Sequence, residues 1–115
     1  MTDKRSQNRF KAHVKVEARL EFSPDPTVPV GTLIACQTQD MSLAGFCLQV
    51  DQPLPAGSRL LLAVDVIPPD LIFNHLAEVV WCRESDNVYL MGLTTTQHLC
   101  DELEWRNAVL KVLAG

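Results

Sequence analysis

From Ala12 to Phe22 the chain alternates strictly: Ala12, Val14, Val16, Ala18, Leu20 and Phe22 interleave with His13, Lys15, Glu17, Arg19 and Glu21. A period of two predicts a long, half-buried strand. Ser23-Pro24-Asp25-Pro26, with Pro29 and Gly31 behind it, ends that strand, because proline cannot donate to a ladder and favours turns. A second strand is expected over about Thr32 to Gln39, and a third where Phe46, Leu48 and Val50 alternate with Cys47, Gln49 and Asp51. Pro53, Pro55 and Gly57 punctuate the next connection, and Leu60, Leu62, Val64 and Val66 mark the buried face of a fourth strand. Pro68-Pro69-Asp70 breaks it, and Leu71 to Asn74 reads as a short loop carrying apolar side chains back over the sheet. His75 to Cys82 predicts a fifth strand with Ala77, Val79 and Trp81 on one face, and Asp86-Asn87 a hairpin into a sixth, Val88 to Thr94.

Beyond Thr94-Thr95-Thr96, which offer N-cap hydroxyls, the period becomes helical, and a helix is expected over about residues 97–113. Leu99, Leu103, Val109, Leu110 and Leu113 share one broad face, extended by Trp105 and Val112. Asp101, Glu102 and Glu104 near its start and Lys111 near its end suit the helix dipole. Six short antiparallel strands without βαβ alternation indicate a mainly β chain, a small closed or nearly closed barrel with one C-terminal α-helix packed on an open end or face.

A chain of 115 residues reads as one domain, able to bury a core without disulfides or metals. Residues 1–11 read as a flexible basic arm without periodicity, and 12–115 as the barrel with its helix. No apolar run is long enough for a membrane span, and the polar start lacks the apolar segment of a signal peptide, so the expected location is cytoplasmic. The four cysteines form no CxxC pair and read as buried, reduced thiols, and the three histidines are scattered, so no metal site or cofactor is expected. A net charge of -4 argues against DNA or RNA as partners, since binding a long polyanion calls for a basic excess. A small anionic ligand needs only a local patch, and Lys4, Arg5, Arg9 and Lys11 lie within eight positions of one another.

Two clusters carry chemistry. Arg5 and Arg9 stand four apart in a stretch without apolar pattern; guanidinium forks donate in pairs to phosphate or to the O6 and N7 edge of guanine, although such residues also suit a plain solvated terminus. Asp40-Met41-Ser42-Leu43-Ala44-Gly45 supplies a carboxylate, a hydroxyl and a glycine between two strands. Gly45 permits positive φ or close approach, and the same residue types also build ordinary hairpin turns. Trp81 reads as core, or as a stacking platform if its ring reaches the surface. No catalytic triad, nucleophile elbow or phosphate loop is present, so no enzyme is expected.

An RxxxR arm followed by a DxSxxG turn resembles the PilZ domain family of cyclic di-GMP receptors, and Val79-Val80-Trp81 with Tyr89-Leu90-Met91-Gly92-Leu93 is similar to that family's closing hairpin. The resemblance implies a six-stranded PilZ-type β-barrel in which Arg5 and Arg9 grip guanine edges and phosphates. It further implies that Asp40 accepts from guanine N1–H and N2–H, that Ser42 adds a hydrogen bond, and that Gly45 leaves room for the turn beneath the ligand. Lys4 and Trp81 are further candidate contacts. Cyclic di-GMP is the expected ligand and an unidentified protein the expected partner, with the chain acting as a monomeric or weakly dimeric adaptor whose arm orders on binding. The alternative is a PilZ-like interaction module that binds protein and no nucleotide.

Overall fold

In a computed structural model the described residues are 13–67 and 71–114. They form seven strands and a helix: β1 (His13–Phe22), β2 (Leu33–Ile34), β3 (Cys36–Met41), β4 (Gly45–Val50), β5 (Arg59–Ile67), β6 (Leu71–Ser85), β7 (Val88–His98) and α1 (Glu102–Ala114). All pairings are antiparallel in one sheet of order β2-β1-β5-β6-β7-β4-β3. The two edge strands, β2 and β3, are separated in sequence by Ala35 alone. The sheet therefore curls until its edges nearly meet, and the Cys36 thiol crosses the seam to donate to the Val16 carbonyl at 3.2 Å.

The expected second strand is thus two strands, divided at Ala35 where the chain passes from one edge of the sheet to the other, and this raises the count from six to seven. Leu71 to Asn74 is also strand, not loop: Leu71, Ile72 and Phe73 pair with Val66, Asp65 and Val64 of β5. The run Leu-Ile-Phe hid its period because Leu71 and Ile72 are exposed and only Phe73 is buried. At the other end of the hairpin Asp86 and Asn87 both take positive φ, 50° and 69°, the conformation of the two-residue turn expected there.

The helix begins later than its periodicity suggested. Thr94, Thr95 and Thr96 remain in β7, as suits β-branched residues, and Asp101 caps α1 by accepting the Glu104 N–H at 3.0 Å. Its packing face is also rotated from the expected one: Trp105, Ala108 and Val109 are buried, whereas Leu103, Leu110 and Leu113 are exposed, as is Leu99 before the helix. Trp105 sets this orientation. It inserts into a nest of Phe46, Phe73 and His75, with ring centroids 6.0, 5.4 and 4.3 Å away, and Ala108 beside it allows close approach. The core inside the curl is built from Leu20, Leu48, Leu60, Leu62, Val64, Val79 and Met91, with Leu54 plugging it from a connection. No helix among the described residues is long and apolar enough to cross a membrane.

His75 is fully buried and pairs Nδ1 to Nδ1 with His98 at 3.0 Å, while its Nε2 has no partner among the described residues. A proton on that Nε2 would be an orphan donor, so the less costly tautomer puts it on Nδ1, from which His75 donates to His98.

Candidate functional site

Two bulges determine what the outer face of the sheet displays. On β3 the inward positions run Cys36, Thr38, Met41, with a register shift between Thr38 and Asp40. On β6 Ala77 and Val79 point inward, and a shift between Val79 and Trp81 leaves Val80 unpaired. Each extra residue inverts the phase of the side chains after it. Without them Asp40 and Trp81 would point into the core; with them both point out. Trp81 is 39% exposed, which corrects its expected place beside Ala77 and Val79 and puts its ring at the surface.

The four strands then align these residues in one row. Asp40 pairs with Cys47, Cys47 with Gly92, and Gly92 with Trp81. At about 4.8 Å per strand, a row of three steps separates the outer two by about 14 Å along the backbone. The small residues between them leave a trough. The Trp81 ring lies down into it over Gly92, where an added Cβ would stand 2.3 Å from its Cε2 and Nε1. Glycine at 92 is therefore the seat of the ring. The result is an open cleft of about 320 Å³ lined by Asp40, Met41, Ser42, Gly45, Cys47, Val80, Trp81 and Gly92, among others.

The turn at its end is held from below. Ser42 N–H donates to Gly45 O at 2.9 Å, Thr95 N–H to Ala44 O at 2.8 Å, and the Trp105 indole N–H to Leu43 O at 3.1 Å. These bonds occupy backbone groups and leave the side chains of Asp40 and Ser42 outward. Asp40 Oδ1 accepts its neighbour's Met41 N–H at 2.9 Å, while Oδ2 and the Ser42 hydroxyl bond no described residue. Gly45 does not have positive φ, and its need for glycine is steric: an added Cβ would meet the Leu93 carbonyl oxygen at 2.7 Å. It permits the β4–β7 approach under the turn.

Charge is uneven across the cleft. Burial chiefly pushes the Cys47 thiol up, the Asp40 carboxylate adds to this, and Arg83 opposes it. Arg83 stands two residues beyond Trp81 on β6, with its guanidinium carbon 5.1 Å from the ring centroid. The sequence reading missed Arg83, the ring-seating role of Gly92, and Trp105 as the turn's anchor. The spacing Trp81-Cys82-Arg83, which places both outer residues on one strand face, was the available signal for the first. Arg5, Arg9 and Lys4 lie outside the described residues.

A carboxylate, a hydroxyl and an exposed indole surround one trough on a curled antiparallel sheet, the architecture of a small barrel-like domain. The sequence model of the PilZ domain matches residues 3–104, and the chain belongs to that family, whose members are binding and receptor domains. No curated protein and no solved structure matches the chain.

Proposed function

We propose that this chain is a cyclic di-GMP receptor. The observation that carries the proposal is the row Asp40–Cys47–Gly92–Trp81, which sets a carboxylate and an exposed indole at opposite ends of one cleft. A guanine stacked on Trp81 would leave its polar edge and the attached phosphate facing the Asp40 and Ser42 end. The cleft is at the lower end of the size range for small-molecule sites, so it holds part of a dinucleotide and leaves the rest to groups reaching over it. Arg5 and Arg9 are the cations proposed for that task, with Lys4 beside them. Their closure over the ligand would be the event that a protein partner reads, which makes the chain an adaptor.

Calorimetric titration with cyclic di-GMP, with GTP as control, tests the reading. Saturable and selective binding that Arg9→Ala abolishes without changing the fold is expected. A folded wild-type protein that takes up no cyclic di-GMP would leave the protein-only interaction module as the better account.

A further inference from the structure

The described sheet carries three arginines, and two of them are neutralised. Arg19 pairs with Glu21 at 2.9 Å and Arg59 with Glu78 at 3.7 Å, and Arg59 also lies 5.6 Å from the centroid of Phe22. Arg83 differs. Among the described residues no carboxylate lies within ion-pair distance of it, and its only close partner is the Trp81 ring, 5.1 Å from its Cζ. The ring it covers is itself a wall of the cleft, so the guanidinium lies at the cleft's Trp81 end. An exposed, uncompensated guanidinium parked on an exposed indole is a stack with room for a third plane, since planar cations and purines both settle on aromatic faces.

Resting on the receptor reading above, we propose that Arg83 is a further ligand-contact residue, its planar guanidinium closing on the outer face of the guanine that stacks on Trp81. The base enters between ring and guanidinium, and Arg83 moves outward by about the thickness of one aromatic plane while keeping a cation over a π face. The fixed barrel thus supplies a cation of its own, in addition to those proposed at Arg5 and Arg9. Stacking requires planarity as well as charge, so lysine does not substitute for arginine here.

The test is calorimetric titration of the full chain with cyclic di-GMP, comparing wild type, Arg83→Ala, Arg83→Lys and Arg59→Ala. Arg83→Ala and Arg83→Lys should each weaken binding about threefold to tenfold, the range of a cation–π contact from exposed to partly desolvated. Arg59→Ala, which removes a stacked arginine elsewhere on the sheet, should bind like wild type. Thermal midpoints of the Arg83 variants should match wild type, because the side chain is exposed. Wild-type affinity in Arg83→Ala would overturn the inference and leave the receptor reading intact. Full retention in Arg83→Lys would overturn the stacking and reduce Arg83 to a distant charge. Absence of cyclic di-GMP binding by the wild type would overturn the receptor reading and this inference with it.

Discussion

The indole N–H of Trp105 donates to the carbonyl oxygen of Leu43 at 3.1 Å, across 62 positions of sequence. This bond ties the C-terminal helix to the turn that presents Ser42, and the same indole packs against Phe46 at the start of β4. The helix is thus part of the mounting of the cleft as well as a lid on the core.

Trp105→Phe keeps an aromatic in the nest and removes the donor. The lost hydrogen bond should cost about 1 kcal/mol of stability, with repacking adding a similar amount. The turn should loosen more than the rest of the sheet. Amide hydrogen exchange at Ser42 and Thr95, whose N–H groups bond Gly45 and Ala44, should accelerate relative to the Leu20 and Leu62 region, and cyclic di-GMP should bind several-fold more weakly. Uniform acceleration throughout the sheet would show that the bond contributes only to global stability.

The two glycines of the site should respond differently to alanine. At Gly45 the added methyl meets the Leu93 carbonyl oxygen at 2.7 Å, and backbone inside a ladder cannot yield locally. At Gly92 it meets the Trp81 ring, which is half-exposed and can swing outward. Gly45→Ala should therefore cost about 3 kcal/mol and Gly92→Ala about 1 kcal/mol, the upper and lower ends for overpacking. Gly92→Ala should nonetheless lose much of its ligand affinity and alter the near-ultraviolet dichroism of the displaced indole. Urea unfolding beside calorimetry separates the two effects, and the reverse order of stabilities would refute the steric account.

Much of this architecture was legible in the sequence because one face of nearly every strand is buried. Val14 to Leu20 and Leu60 to Val66 announce their strands by period, and the Asp86-Asn87 turn by residue type. What could not be read was phase. A bulge adds a residue without changing composition, so nothing in Glu78-Val79-Val80-Trp81 says that the indole leaves the core, and nothing in Thr38-Gln39-Asp40 says where the alternation breaks. The helix face failed for a related reason. Leu103, Leu110 and Leu113 are as apolar as the residues that dock, but a single Trp105 with an acceptor at Leu43 and three rings around it determined the orientation. The motif Asp40, Ser42, Gly45 was visible, whereas the partner row that makes it a cleft depends on pairing across four strands.

On the proposed receptor reading Asp40 would select guanine over adenine, since its outward oxygen accepts where guanine donates and adenine offers no matching N1–H. Asp40→Ala should weaken cyclic di-GMP by about 1–3 kcal/mol and shrink the preference for it over cyclic di-AMP by a similar factor. Stability should change by less than about 1 kcal/mol, because the carboxylate's described bond is only to the adjacent Met41 N–H. Parallel titrations with the two dinucleotides check this. An unchanged guanine preference in Asp40→Ala would remove the residue from base recognition.

The buried histidine pair gives the fold a definite pH response. Burial first, and the neighbouring His98 second, push His75 down from 6.5 to about 4. Because the folded value lies below the unfolded one, the unfolded chain binds more protons between those limits, and stability rises with pH across that window. The contribution is fully present above about pH 6.5, declines as pH falls toward 4, and amounts to about 3 kcal/mol for a shift of that size. His75→Phe should keep the ring packing against Trp105 and Phe46 while removing the titration. Denaturant unfolding of both proteins from pH 4 to pH 8 should therefore show the wild type losing about 3 kcal/mol more than the variant on acidification, with their difference flat above pH 7. Parallel curves throughout would mean that His75 becomes protonated in place, with the protein relaxing around the charge.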